Sequence, residues 1–135
     1  MPTARGQRSI PPLIHMPTER TIMGLEAETA VCRRLKADGF QILDRNWRRP
    51  WGELDIVASR GSVIHFVEVK ASRRNIQGFG PALRADWRKM MKVRRTAQTW
   101  LAANRYSPDT EWQMDVASVI MGPGNPDIEL FQQIS

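Results

Sequence analysis

Two short stretches hold the residues whose types and spacing could do chemistry. Gly52-Glu53-Leu54-Asp55-Ile56-Val57-Ala58 carries two carboxylates, and Val63-Ile64-His65-Phe66-Val67-Glu68-Val69-Lys70 ends in a carboxylate and an ammonium. Both stretches are rich in β-branched and apolar residues, and alternate residues of a strand share a face. Glu53 with Asp55, and Glu68 with Lys70, therefore project in pairs. Like charges ~4 Å apart repel by about 4 kcal/mol at an effective dielectric of about 20. Protonation, pairing with Lys70 or a divalent cation would relieve that repulsion. Hard cations such as Mg²⁺ take carboxylate oxygens and keep several waters. Such an ion can activate water and offset charge on a phosphate, while Lys70 could orient the water or stabilise developing negative charge. The plainer alternative is a strand-end Glu68–Lys70 ion pair, with Asp55 satisfied by backbone donors.

A hairpin is the element that would bring the two stretches together. With Ser59-Arg60-Gly61-Ser62 as a four-residue loop, Ala58 opposes Val63, Asp55 opposes Phe66 and Glu53 opposes Glu68. Asp55 and Glu68 then become diagonal neighbours roughly 7–8 Å apart. The other face carries Leu54, Ile56 and Ala58 with Val63, His65, Val67 and Val69. A helix is predicted from Thr21, with Met23, Ala27, Ala30, Val31 and Leu35 as its apolar stripe, Glu26 bordering it and Gly39 beyond its end. Phe40–Leu43 reads as a first strand, followed by the polar and basic run Asp44–Arg49. The polar connection Ala71–Pro81 leads to a second helix from about Arg84 or Asp86 to Ala103, and Trp112–Ile120 and Ile128–Gln132 are the last two strands. The expected class is α/β, a mixed central sheet flanked by helices.

The 135 residues suit one domain, 21–135, after a basic, proline-interrupted tail over 1–20. A single Cys and two separated His residues argue against an internal disulfide and a structural zinc site. No apolar run reaches membrane-spanning length and no signal-peptide core is present, so a cytoplasmic protein without membrane contact is expected. The net charge is +6, and its distribution says more than its size. Arg84, Arg88, Lys89, Lys92, Arg94 and Arg95 crowd one segment, and Arg45, Arg48, Arg49, Arg73 and Arg74 flank the acids. Basic flanks around an acidic centre suit a metal-dependent enzyme acting on a phosphate polymer.

The combined motif resembles the YraN-like family of small bacterial proteins, grouped by likeness with restriction-endonuclease-like nucleases of the PD-(D/E)xK type. Gly52–Ala58 and Phe66–Lys70 carry the resemblance, with Gly24, Glu26, Arg45-Asn46-Trp47-Arg48, Phe79-Gly80, Lys89 and Asp115-Val116, over roughly Ile22 to Ile120. The pattern is also similar to archaeal Holliday-junction resolvases. The resemblance implies an α-β-β-β-α-β core with an extra C-terminal strand. It implies that Asp55 and Glu68, with the Val69 carbonyl, hold Mg²⁺ or Mn²⁺. Lys70 would be the catalytic lysine, Glu26 a helical acid at the same site, and Lys89 a contact to nucleic acid. Arg48, Arg73, Arg74, Arg88 and Lys92 complete the expected nucleic-acid surface. Leu54 departs from the wider superfamily, which has Pro there, and His65 is read as a core or edge histidine outside the ligand set. Two functions follow as expectations: a metal-dependent DNA endonuclease, selective for branched or otherwise unusual structures, or a non-catalytic nucleic-acid-binding or assembly module. Junction-cutting relatives act as dimers, so a homodimer is expected, with Trp47, Trp51 or Trp112 at its interface.

Overall fold

The first helix, α1 (Glu19–Ala37), buries Ala27, Val31, Cys32 and Leu35 at helical spacing. It stops where Gly39 takes a φ of +92°, donating to Lys36 O while Phe40 N donates to Leu35 O at 2.9 Å. This is the glycine-ended cap expected after a helix, and Phe40 and Leu35 close it in the core. In the computed structural model, residues 19–73 and 87–132 are described. The tail assigned to residues 1–20 otherwise lies outside them, as do Arg74, Phe79-Gly80 and the expected helix start at Arg84 or Asp86.

Five strands follow the order expected from the sequence: β1 (Gln41–Arg49), β2 (Gly52–Arg60), β3 (Val63–Arg73), then helix α2 (Trp87–Ala103), β4 (Glu111–Met121) and β5 (Asp127–Phe131). They lie side by side in chain order, antiparallel except for β3 and β4, which run parallel over their whole length. Parallel neighbours need a crossover, and α2 lies within it. The sheet has a helix on each face. Ile56, Ala58, Val67, Ala117 and Val119 pack with α1, and Leu54, Val57, Ile64, Phe66 and Met114 pack with Ala97 and Trp100 of α2.

Several sequence expectations need correction. β1 does not stop at Leu43 but runs through the polar segment to Arg49, as an edge strand can, with a bulge between Ile42 and Asp44. Likewise β3 continues through Arg73. The β2–β3 connection is a two-residue turn, because Gly61 adopts a φ of +64° that lets the chain reverse at once. Arg60 therefore pairs with Val63 and Ile56 with Val67. That register is shifted by two residues from the expected one, so faces are kept while partners change. The ladder ends at Ile56–Val67, so the expected Asp55–Phe66 and Glu53–Glu68 pairs do not form, and Phe66 pairs with Val57. Leu54 is the exception to face conservation, since it packs on the α2 side with Val57.

Gly52 has a packing role. A Cβ there would stand 2.5 Å from the hydroxyl oxygen of buried Thr96, which itself donates to Lys92 O at 2.7 Å. Backbone strain plays no part, because only close approach of β2 to α2 is at stake. Gly52→Ala should lower unfolding free energy by about 1–3 kcal/mol. In that background Thr96→Ala should restore much of the loss in a denaturant titration. Equal stability of Gly52→Ala and the parent would show that α2 moves freely against β2.

Candidate metal-binding and catalytic site

The β2–β3 ladder is paired from Arg60–Val63 to Ile56–Val67, and the acids lie just past its end. There the Asp55 carboxylate enters the gap, and Val69 N–H donates to Asp55 Oδ2 at 2.8 Å. A side chain thus takes a backbone donor that would otherwise need a strand partner. Glu68, on β3, accepts from two ammonium groups at one oxygen. Lys70 Nζ is 3.1 Å and Lys89 Nζ 2.6 Å from Oε2. Lys89 comes from the first turn of α2, so the crossover helix supplies a cation to the acids past the end of the ladder. Glu53, Asp55, Glu68 and Lys89 line a pocket of about 220 Å³ floored by Leu54 and Phe66.

Electrostatics at this place are unbalanced toward negative charge on the Asp55 side. Burial pushes the Asp55 carboxyl up to about 6; the Val69 amide opposes this, and Glu28, Glu68 and Glu53 add to the rise. Burial acts against the charge of Lys89, but its contacts with Glu68 win and hold its ammonium above the usual range. Two ammonium groups thus compensate Glu68, whereas at Asp55 burial outweighs the hydrogen bond from the Val69 amide.

The helical acid that faces this region is Glu28. It is buried, whereas Glu26 points to solvent. Glu28 Oε1 has no hydrogen-bond partner among the described residues and lies 3.9 Å from Arg45 Nη2. The sequence carries a signal for it: Glu28 stands three, four and seven residues before buried Val31, Cys32 and Leu35, within the stripe itself. Glu26 is instead spaced with Met23 and Ala30, which are only half-buried.

The expected basic residues are distributed unevenly. Arg48 is exposed and pairs with Glu53 at 3.1 Å. Lys89 and Lys92 join Arg48 and Arg49 around a second, shallower groove of about 670 Å³ that shares Glu53 and Lys89 with the acidic pocket. Arg73 is exposed at the end of β3, and Arg88 belongs to the first turn of α2. Arg74 lies outside the described residues. His65 is a core residue as expected, and its partner is Asp115: Nδ1 meets Asp115 Oδ2 at 2.7 Å, and the Gln113 amide donates to Asp115 Oδ1 at 2.8 Å. Phe40 meets the imidazole edge to face at 4.9 Å.

A family model described as uncharacterised protein family UPF0102 matches residues 27–119, which include the whole acidic pocket. The chain belongs to the UPF0102 family. A UPF0102 protein of Nocardia farcinica is 40% identical over 111 residues, 79% of this chain and 83% of that protein. Another UPF0102 protein, from Campylobacter lari, is 30% identical over 120 residues, 89% and 99% of the two chains. The YraN-like resemblance is to this same family. UPF0102 relatives thus match nearly full length, and the pocket lies within the shared region. None of the described helices is long and apolar enough to cross a membrane.

The donor set can be tested against a divalent cation from this geometry. Among the described residues no three His, Cys, Asp or Glu side chains gather closely enough to hold an ion alone. Asp55, Glu68 and the Val69 carbonyl are two charged oxygens and one neutral one. Such a sparse, all-oxygen set suits Mg²⁺, which binds through one or two carboxylates and retains water. A cation there would offset the cost of charging Asp55, which burial and the neighbouring Glu28, Glu68 and Glu53 impose. Lys70 and Lys89 compete with it for Glu68.

Proposed function

We infer that this chain is a metal-dependent nuclease that hydrolyses phosphodiester bonds of DNA, with Mg²⁺ or Mn²⁺ as its ion. One observation carries the reading: where the β2–β3 ladder opens, Asp55 accepts from the amide of Val69, next in chain to Glu68, and Lys70 and Lys89 both pair with Glu68. Asp55, Glu68 and the Val69 carbonyl would hold the ion, which supplies charge neutralisation and an acidified water when bound. The residues of the chain do the rest. Lys70 and Lys89 offer ammonium protons to phosphate oxygens, where negative charge grows as water adds to phosphorus and the bond to a sugar oxygen breaks. The leaving oxygen takes up one proton and the attacking water releases one. Arg48, Lys92 and the neighbouring groove bind the flanking backbone, and Glu28 keeps the pocket negative so that a cation is retained.

Purified protein incubated with Mg²⁺ or Mn²⁺ and a panel of duplex, single-stranded and junction DNAs tests this reading. Metal-dependent products that disappear in Asp55→Asn and Lys70→Ala are expected. Products that persist in both variants would come from a contaminant and remove the assignment.

The same ion pairs favour a second reading, a nucleic-acid-binding or assembly module. Glu68 already has two counter-cations, so this half of the acid set is neutralised without metal. Metal affinity separates the two. In the nuclease reading Lys89→Met removes a competitor from Glu68, and Mg²⁺ affinity by calorimetry should rise about fivefold, an amount kept small because Lys89 is half-exposed. Absence of metal binding in both proteins, with salt-sensitive DNA binding intact, would select the module.

A further inference from the structure

We propose that Trp51 is a stacking platform for one unpaired nucleobase, which makes single-stranded or locally opened nucleic acid the preferred ligand of the site. The inference rests on the reading above in taking nucleic acid as the ligand, and it adds which form is bound and by which residue. Trp51 lies with Pro50 at the tip of the two-residue turn between β1 and β2, where Arg49 pairs with Gly52. Trp51 keeps 38% of its surface exposed. The Arg95 guanidinium sits 5.3 Å from the ring centroid, over one face of the indole. The exposed part of the ring is what a flat ligand would meet.

The surroundings specify what kind of flat ligand. Trp51 lines the groove of about 670 Å³ together with Arg48, Arg49, Lys89 and Lys92. The one acid there, Glu53, is already paired with Arg48. Four cations around an exposed indole match a polyanion that also presents aromatic rings. Nucleic acid has both features in every repeating unit, a phosphate and a flat base, whereas an acidic peptide carries a ring only where its sequence happens to supply one. A base inside a duplex has both faces covered by its neighbours, so only an unstacked base can use the indole. Because the groove and the acidic pocket share Glu53 and Lys89, the stacked nucleotide adjoins the acids. Trp51 thereby selects ends, gaps or flaps over continuous duplex.

Binding measured in EDTA tests this without any cleavage. Fluorescence anisotropy of a labelled oligothymidylate and of a duplex of equal length would be compared for the parent, Trp51→Ala and Trp51→Phe. Trp51→Ala should weaken oligothymidylate binding about tenfold and duplex binding less than about twofold, and Trp51→Phe should keep most of the affinity. An abasic oligomer of the same length should bind the parent about tenfold more weakly than oligothymidylate, which checks stacking even if a variant fails to fold. Equal affinity for thymidylate and abasic oligomers, or an equal loss on both DNA forms in Trp51→Ala, overturns the proposal. Those outcomes leave metal-dependent cleavage untouched, and loss of the nuclease reading in the cleavage assay leaves the binding result standing.

Discussion

Asp55→Asn should abolish metal-dependent cleavage, by on the order of 10²-fold or more, while making the metal-free protein more stable at pH 7.5. Both effects arise from one arrangement. Burial, with Glu28, Glu68 and Glu53 nearby, raises the Asp55 carboxyl to about 6, against about 3.9 in an unfolded chain. Between those values the folded protein holds a proton that the unfolded chain has released. Stability from this group is therefore fully present below about pH 4, falls as pH rises through about 6, and stays low above it. Two pH units correspond to roughly 2–3 kcal/mol. Asparagine keeps an oxygen for the Val69 amide but carries no charge, so its stability should lack that part of the decline. Thermal melts of both proteins from pH 4 to 8 in EDTA would read the difference. Mg²⁺ should then raise the melting temperature of the parent and not of the variant. A variant less stable than the parent at pH 7.5 would mean that the Asp55 carboxylate is well compensated, and would remove the charge argument for an ion.

The second large effect concerns the buried pair away from the acids. Asp115→Ala should destabilise the fold by about 3 kcal/mol, or on the order of 10 °C in melting temperature. The substitution takes away the carboxylate to which both His65 Nδ1 and the Gln113 amide are bound. The buried imidazole is then left without its carboxylate partner, packed against the Phe40 ring. Asp115→Asn, which keeps the shape and one carbonyl oxygen, should lose less than half as much. The pair joins β3 to β4 across 50 positions of chain, so its loss loosens the strand that carries Glu68 and Lys70. Urea unfolding decides the matter, and a change under about 1 kcal/mol for Asp115→Ala would show that the pair is held by its surroundings and not the reverse.

Much of this fold was legible in the residues because strand alternation and helix stripes are local. The element order and most of the apolar layers follow from such patterns, whereas Glu68 and Lys70, expected at a strand end, lie inside β3. What went astray depended on backbone details or distant partners. The loop Ser59–Ser62 reads equally well as four residues or two, and only the positive φ of Gly61 decides, which moves every partner by two places. Asp44–Arg49 reads as a polar loop because an edge strand needs no apolar alternation. The sequence reading names Glu26 as the helical acid and does not single out Glu28, whose place inside the stripe is one that helical spacing assigns to apolar core residues. His65 was rightly read as a core residue, yet its partner Asp115 becomes visible only once β3 and β4 are known to run parallel.

The outer strand β1 carries a further consequence, one of solubility. It forms one edge of the sheet, where unpaired backbone groups invite another chain to add on. Three features discourage that: the bulge after Ile42, Asn46 in a left-handed conformation at φ 51°, and the exposed charges of Arg45, Arg48 and Arg49. At the opposite edge β5 is only five residues long and carries exposed Glu129. The arginines that line the basic groove are thus also the guard against edge-to-edge aggregation. Neutralising several of them together would strip both roles at once, so charge-reversal to glutamate, which keeps the edge charged, is the substitution that isolates their part in binding.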